Sequence, residues 1–162
     1  MTVDERSFRK ALGCFASGVT VVTTLDPATR APAGVTVSAF CSVSLEPPLV
    51  LVCLGERTAD LDAFRGFGHF AVNILSEHQR DLSIRFASRS GDKWAGVSWE
   101  GWDSGVPILS GCLANLECAT VEARPCGDHV ILVGRVVRLR HDAGGAPLLY
   151  GRGSYLVASE AQ

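Results

Sequence analysis

Residues 34–44 alternate between apolar and small hydroxyl side chains. The odd positions are Val35, Val37, Ala39, Cys41 and Val43, and the even positions are Thr36, Ser38, Phe40, Ser42 and Ser44. A period of two predicts a single β-strand with one apolar and one hydroxyl face. A solvent-exposed face usually carries charged or long polar side chains, and this face has none. Two interpretations remain open: a solvated strand face, or a face that packs against a bound molecule.

The rest of the pattern predicts a chain dominated by strands. Further strands are expected at 19–25, 49–54, 69–75, 112–124 and 129–140, with a short strand near the end of the chain. The "EPP" at 46–48 predicts a corner, because proline cannot donate a ladder hydrogen bond. The strand at 129–140 has apolar residues at both parities, which predicts that both of its faces are partly buried.

Three helices are predicted between these strands. The first runs from an Asp4 N-cap to Gly18 and includes Phe15, and the others cover 58–68 and 76–88. Residues 90–110 hold all three tryptophans and are expected to form an irregular loop with a binding role. The order of elements does not alternate strand with helix as a doubly wound sheet does. It favours a mainly β domain, a small closed barrel with helices at its ends, because a twisted antiparallel sheet of about six strands avoids bare edges by closing.

Composition limits the class of protein. The chain has 162 residues, of which 47% are hydrophobic, enough for one domain over 1–162 with a full core. No apolar run approaches the ~20 residues of a membrane-spanning helix, so the apolar surplus indicates a homodimer interface instead. The net charge of -2 argues against nucleic acid as a partner. The charged start "MTVDERSFRK" lacks a secretory apolar segment, so a cytoplasmic location is expected.

The six cysteines favour neither a metal site nor a disulfide framework. They form no C-x-x-C pair and no cluster with histidine at zinc spacing. We therefore expect reduced thiols, most of them buried as small apolar residues. No metal is expected.

Several catalytic motifs are absent or out of place. "GFGHFA" at 66–71 fits the G-x-G-x-x-A dinucleotide pattern, but it follows a helix and precedes a strand, the reverse of what phosphate binding needs. No P-loop, G-x-S-x-G or H-E-x-x-H occurs. Hydrolase and metalloprotease functions are therefore disfavoured.

The remaining candidate chemistry suits a flat cofactor with a phosphate. Hydroxyls at 36–44 are followed by Arg57 and Thr58 after one strand, and by Ser88 and Arg89 at a helix end. Hydroxyls and guanidinium groups bind phosphates and polyols, while a strand of small residues lets a ring lie close. Flavin mononucleotide has all three parts. "GDH" at 127–129 is either a plain turn before a strand or a site where His129 hydrogen-bonds a carboxamide or balances charge in a redox step.

Taken together, "FASGVTVVTT", "GVTVSAFCSVSLEPPLVLVCL", "FAVNIL", "LSIRFA", "GDH", "GRV" and "LLYGRGSY" resemble the short NAD(P)H:flavin oxidoreductases. These have the FMN-binding split β-barrel fold and serve as reductase components of two-component flavin-dependent monooxygenases. The resemblance covers nearly the whole chain in one order. It implies a homodimer that uses FMN or FAD, with NADH or NADPH as hydride donor.

The resemblance also implies roles for particular residues. His129 would face the nicotinamide as the catalytic residue, and Arg152 and Tyr155 would close the NAD(P)H side. The cofactor-binding residues it implies are Thr36, Val37, Ser38, Ala39 and Ser44 for the ring and ribityl chain, and Cys53, Leu54, Arg57, Thr58, Ala59, Phe86, Ala87, Ser88 and Arg89 for the ribityl chain and phosphate.

Hydride transfer to flavin needs geometry and a dry pocket rather than a nucleophile, which agrees with the absence of a triad. Two alternatives stay open: a flavin-binding module that serves as a sensor or store, and a flavin-dependent oxidase that acts directly on a substrate.

Overall fold

A computed structural model describes residues 2–89, 91–142 and 144–158 of the chain. The structure is mainly β, as expected. The strands are β1 (Ser17–Gly18), β2 (Thr20–Leu25), β3 (Pro32–Val37), β4 (Phe40–Leu45), β5 (Pro48–Gly55), β6 (His69–Ile74), β7 (Trp99–Gly101), β8 (Pro107–Leu109), β9 (Ala114–Cys126), β10 (His129–His141), β11 (Leu149–Gly151) and β12 (Ser154–Leu156). The helices are α1 (Glu5–Leu12), α2 (Leu61–Gly66) and α3 (Arg80–Ala87), with a 3-10 turn at Glu77–Gln79 before α3.

The main sheet has seven antiparallel strands in the order β3-β2-β6-β9-β10-β5-β4. Its two outermost strands, β3 and β4, are consecutive in the chain, so the sheet curls until its edges approach each other. This arrangement confirms the split barrel that the resemblance implies. The closed barrel of about six strands that the order of elements favours is wrong, because the sheet has seven strands and β3 and β4 remain as edges.

The single strand predicted over 34–44 is wrong, because the chain bends at Ser38 and continues as a second strand. The hydrogen bonds change partner at this bend. Thr20 Oγ1 donates to Val37 O at 2.7 Å on one side of it, whereas Cys53 N donates to Ala39 O at 3.0 Å on the other. The chain therefore stops pairing with β2 and begins to pair with β5 at this bend, although the alternation of its side chains continues unbroken.

The core fills the inside of the curled sheet and a second layer beneath α3. Inside the sheet, the fully buried side chains include Val22, Val52, Phe70, Val72 and Leu132. The second layer packs Phe86 of α3 against residues that include Val21, Leu75 and Leu109. This layer holds α3 on the outer face of β2 and β3.

The first helix begins as predicted and ends early. The Asp4 carboxylate accepts a hydrogen bond from Ser7 N at 2.9 Å, which confirms the N-cap. The helix ends at Leu12 and not at Gly18, so Phe15 lies outside it and is 81% exposed. The prediction failed because residues 17–18 pair with β11 as strand β1. No residue of α1 is buried.

The other helices and the strands at 19–25, 49–54, 69–75, 112–124 and 129–140 are confirmed within a few residues. Residues 90–110 are not wholly irregular, because β7 and β8 form a hairpin within them. The end of the chain contains two short strands, β11 and β12, where one was expected.

All six cysteines are free thiols, but burial of most of them is wrong: only Cys118 is buried, and Cys14, Cys41 and Cys126 are exposed. Among the described residues, no group of His, Cys, Asp or Glu is arranged to hold a metal ion. No helix in the described part of the chain is long and apolar enough to cross a membrane.

Candidate active site

A cleft of about 800 Å³ lies between α1, the turn after β5, the end of α3 and the turn that joins β9 to β10. Its volume is within the usual range for sites that bind a cofactor. The lining residues are Glu5, Phe8, Arg9, Leu12, Val35, Gly55, Glu56, Arg57, Thr58, Ala59, Phe86, Ala87, Ser88, Arg89, Lys93, Asp128 and His129.

The cleft brings together three predicted parts of the site that are far apart in the chain. These are Arg57–Ala59, Phe86–Arg89 and His129. They meet because β5 and β10 are neighbours in the sheet, with His129 opposite Gly55, and because α3 packs on β3. The strand that carries Val35 supplies one apolar wall.

The predicted ring-binding residues lie beside this cleft and do not line it. Thr36 directs its hydroxyl towards α3, where it donates to Ser83 O at 2.6 Å. Val37 is buried in the core, whereas Ser38 and Ala39 are exposed at the bend between β3 and β4. Their contact with a flavin ring stays a prediction.

Three further predicted cofactor residues belong to the sheet itself. Ser44 is half-buried in β4, next to an irregularity in its pairing with β5. Leu54 is buried in the core. Cys53 is half-buried, and burial, followed by the charge of Cys126, raises the pKa of its thiol. None of the three lines the cleft, and their contact with a cofactor also stays a prediction.

His129 is oriented by its neighbour and by the turn that precedes it. Gly127 has a φ of 63°, as a tight two-residue hairpin turn requires. Glu56 N donates to Asp128 O at 3.0 Å and attaches this turn to the loop after β5. The His129 Nδ1 and Asp128 Oδ1 atoms are 2.7 Å apart. The hydrogen bond from His129, and then its charge, lower the pKa of the Asp128 carboxyl.

The other imidazole nitrogen is available to a ligand. An ionised carboxylate only accepts hydrogen bonds, so Nδ1 carries the shared proton and Nε2 faces away from Asp128. A Cβ atom at Gly55 would lie 3.8 Å from Nε2. Gly55 therefore leaves room beside this nitrogen.

The cleft has an excess of positive charge. Glu5 pairs with Arg9 at 2.7 Å and Glu56 pairs with Arg65 at 2.9 Å. By contrast, Arg57, Arg89 and Lys93 form no ion pair within 4.0 Å in the part of the chain that the structure describes. Such cations are suited to a phosphate group.

The wall on the α3 side depends on close packing against a glycine. A Cβ atom at Gly34 would lie 2.7 Å and 2.9 Å from two ring carbons of Phe86, and 3.2 Å from the ring of Trp94. Phe86 and Trp94 meet edge to face, with ring centroids 5.0 Å apart. This stack fixes the end of α3, from which Ala87–Arg89 enter the cleft.

The residues predicted for the nicotinamide side lie elsewhere. Tyr155 is bonded to α3, with its hydroxyl 2.8 Å from Ser83 Oγ and its ring under Arg80. Arg152 lines a neighbouring cleft of about 680 Å³ against α1. The structure does not bring either residue into the cleft that contains His129, and their role stays a prediction.

Besides Val35, sequence reasoning missed two contributors to the cleft. One is α1, whose Phe8 and Leu12 line the cleft and remain 53% and 57% exposed. Its apolar stripe on a short charged helix was a visible signal. The other is Lys93, which donates from Nζ to Gly34 O at 3.3 Å.

Comparison with known proteins gives one consistent family. Residues 12–159 match the family described as flavin reductase like domain. The chain is 44% identical over 158 residues to the stachydrine N-demethylase reductase subunit Stc3 of Rhizobium meliloti, covering 98% of this chain and 68% of that protein. It is 45% identical over 152 residues to the FMN reductase (NADH) SmoA of Agrobacterium fabrum, covering 94% and 85% respectively.

Comparison with solved structures gives the same family. The NADH:FAD oxidoreductase SgcE6 of Streptomyces globisporus C-1027, in complex with NAD and FAD fragments, superposes with a TM-score of 0.90 at 34% identity, covering 98% of this chain and 97% of that chain. Some relatives are longer: the chain spans 48% of the length of another curated relative from Rhizobium meliloti.

Proposed function

Because the chain belongs to the flavin reductase-like family, we propose that it catalyses the reduction of FMN or FAD by NAD(P)H and supplies the reduced flavin to a partner flavin-dependent monooxygenase. The observation that carries this proposal is the cleft that brings together His129, the cations Arg57, Arg89 and Lys93, and apolar side chains that include Phe8 and Val35. The relative SmoA, named as an FMN reductase (NADH), supports the first half of the proposal. A relative from Rhodococcus jostii, named as the reductase subunit HsaB of a flavin-dependent monooxygenase and 41% identical over 153 residues, supports the second half.

The cleft fits a flavin. Its lining includes three cations that form no ion pair with an acid among the described residues and are suited to the phosphate, and Thr58 and Ser88 supply hydroxyls. Phe8, Leu12 and Val35 form an apolar surface of the kind a flat ring needs.

The chemistry is that of the bound ligands, since flavin accepts a hydride from the nicotinamide of NAD(P)H. The chain's own residues bind and orient. Arg57, Arg89 and Lys93 hold the phosphate end, and the apolar wall excludes water from the reacting faces. His129, with Nδ1 held by Asp128, presents Nε2 to the carboxamide of the nicotinamide.

The decisive test is anaerobic mixing of the purified protein with NADH or NADPH, with and without added FMN or FAD. Reductase activity requires nicotinamide oxidation that depends on flavin, and reduced flavin that is released. Tight flavin binding without nicotinamide oxidation would identify a binding module. Turnover of another substrate with oxygen, and no use of NAD(P)H, would identify a direct oxidase.

We further propose that the active form is a homodimer with the flavin near the subunit boundary. Residues 130–134 of β10 are buried or half-buried on both faces of the strand, whereas Val137 and Leu139 in its distal half are more than half exposed. Phe8 and Leu12 of α1 add apolar surface beside the cleft. A second copy of the chain is the simplest cover for surfaces of this kind.

We also propose a cytoplasmic location. NAD(P)H and the oxygenase that receives reduced flavin must both be accessible to the protein. Six free cysteines, three of them exposed, suit a reducing compartment.

A further inference from the structure

Ser83 is a polar residue in the middle of α3 that is only 1% exposed. Its Oγ atom lies 2.8 Å from the hydroxyl of Tyr155 in β12. Its backbone carbonyl accepts a hydrogen bond from Thr36 Oγ1 at 2.6 Å. Ser83 therefore joins α3 to the edge strand β3 and to the β11–β12 hairpin, although these three segments are far apart in the sequence.

The bond to Thr36 is the second of two adjacent contacts between α3 and β3. The first is the close packing of the Phe86 ring over Gly34. Gly34 and Thr36 are two apart on the strand, so they share a face of the sheet. Ser83 and Phe86 are three apart on the helix, so they are neighbours on its surface. One contact would let the helix pivot on the sheet, whereas two contacts fix its direction along β3.

The bond to Tyr155 attaches the same point of α3 to the end of the chain. A serine within a helix often bonds to a carbonyl of the preceding turn, whereas the side chain of Ser83 bonds to a residue 72 positions away. The Tyr155 ring is held independently of its hydroxyl. The Arg80 guanidinium lies 5.2 Å from its centroid, and the Tyr150 ring meets it edge to face at 5.3 Å.

Both segments that Ser83 joins to each other at β3 and α3 continue into the His129 cleft. Val35, next to Thr36 on the strand, lines the cleft, and so do Phe86–Arg89, which begin three residues after Ser83. Ser83 itself does not line the cleft. A shift of α3 along β3 would therefore change the distance between the apolar wall and Arg89, one of the three cations suited to the flavin phosphate.

We propose that Ser83 is a positioning residue for flavin binding, and that through Thr36 and Tyr155 it holds Arg89 at the correct distance from the apolar wall. The proposal rests on the reductase function, since it takes flavin as the ligand. It assigns the hydroxyl of Thr36, which the resemblance places at the flavin ring, to α3 instead. It also gives the hydroxyl of Tyr155 a task on the flavin side of the site.

The first test is Tyr155→Phe, which removes one hydroxyl and keeps the ring. Fluorescence titration of the full chain with FMN and with riboflavin compares two ligands that differ only in the phosphate. Tyr155→Phe is expected to bind FMN about fivefold more weakly than wild type, as for one lost hydrogen bond, and to bind riboflavin as wild type does. Tyr150→Phe is the matched control, because it removes a hydroxyl from the residue paired with Tyr155 in the same hairpin. It should bind both ligands as wild type does.

A double-mutant cycle separates positioning from a general loss of stability. Ser83→Ala should weaken FMN as Tyr155→Phe does, and the double variant should be no weaker than either single variant, because both remove the same bond. Thermal unfolding of each variant checks that it is folded at the temperature of the titration. Additive losses in the double variant would overturn the proposed connection.

Thr36→Val tests the other bond of Ser83. It should weaken FMN and leave riboflavin unchanged, and Thr36→Ser, which keeps a hydroxyl, should restore FMN binding. Equal weakening of FMN and riboflavin by Thr36→Val would place this hydroxyl at the flavin ring and overturn its assignment to α3.

Two results for Tyr155→Phe would overturn the proposal. One is an FMN affinity equal to that of wild type. The other is a raised KM for NADH with unchanged affinity for both flavins, which would place the hydroxyl on the nicotinamide side. Failure of the reductase function is distinguishable: a wild type that binds FMN without oxidising NAD(P)H refutes the reductase, while the titrations still decide the role of Ser83. A wild type that binds no flavin refutes both.

Discussion

The Nδ1 atom of His129 and the Oδ1 atom of Asp128 are 2.7 Å apart, on a hairpin turn that lines the cleft. The two residues are adjacent in the chain, yet the turn directs both side chains to the same surface. Asp128 thereby selects the imidazole tautomer that leaves Nε2 facing the cleft. Asp128 is a positioning residue, because it acts through His129.

His129→Ala is expected to raise the KM for NADH or to slow hydride transfer by about tenfold, as for the loss of one charge-assisted hydrogen bond, with flavin affinity near that of wild type. Anaerobic stopped-flow reduction of bound flavin measures this step alone. If the variant uses NADH as wild type does, the nicotinamide contact must be sought at Arg152 and Tyr155.

Asp128→Asn serves as the control for this prediction in a double-mutant cycle. It should slow the reaction in the wild-type background and have no further effect when His129 is already alanine. Because the folded pKa of Asp128 is below its usual value, the carboxylate stays ionised as pH falls through the neutral range. The titration of Asp128 should therefore not change the ratio of the wild-type and Asp128→Asn reduction rates between about pH 5 and 8.

Ser38→Val is expected to weaken flavin binding by about fivefold, since one lost hydrogen bond is worth about 1 kcal/mol. Ser38 is exposed at the bend between β3 and β4, where its side chain is accessible to a ligand. Fluorescence titration with FMN and FAD gives the affinities, and Ser42→Val, at another exposed serine, is the matched control. Equal flavin affinities for both variants would mean that Ser38 lies in a solvated bend and does not contact the flavin.

The hydroxyl strand illustrates what the sequence can predict of this fold. The alternation at 34–44 correctly indicated strands, because side-chain direction is a local property of the chain. The bend at Ser38 was not predictable, since the alternation continues through it and only the distant partners Thr20 and Cys53 reveal the change of neighbour.

The candidate site was also predicted only in part from the sequence. The segments Arg57–Ala59 and Phe86–Arg89 and residue His129 were predicted from residue type, and the fold brings them into one cleft. Lys93 was missed because it lies in a loop without periodicity, so its place depends on how the Trp94 ring packs against Phe86.

Gly34→Ala is expected to destabilise the fold by about 1–3 kcal/mol, as overpacking of a close contact does. Its new Cβ would meet the Phe86 ring at 2.7 Å. Urea denaturation measures the free energy of unfolding, and flavin affinity should fall as well, because Phe86 fixes the end of α3. Gly18→Ala, where nothing lies within 4 Å of the added atom, is the control. Equal stability of the two variants would contradict this packing.

The homodimer is expected to dissociate when its apolar surface receives a charge. Val121, Val137 and Leu139 are 60%, 51% and 58% exposed on the β9–β10 hairpin. Sedimentation equilibrium at micromolar concentration should give a dimer for wild type and a monomer for Leu139→Glu. Val157→Glu, at an exposed valine near the chain end, should remain dimeric. A monomeric wild type would refute the proposed dimer.

The buried thiol of Cys118 is expected to make the fold less stable as pH rises. Burial, followed by the charge of Glu117, raises its pKa to about 12, whereas an unfolded cysteine titrates near about 8.5. Above that value the unfolded chain loses a proton that the folded chain keeps, so the free energy of unfolding falls by about 1.4 kcal/mol per pH unit from this thiol.

Between pH 8 and 10, the free energy of unfolding, measured by denaturation, should fall less steeply for Cys118→Ala than for wild type. The cavity that the substitution leaves lowers stability by the same amount at each pH, so it does not change this slope. Cys14→Ala, which removes an exposed thiol, is the control. Equal slopes for all three proteins would mean that the Cys118 thiolate is tolerated in the core.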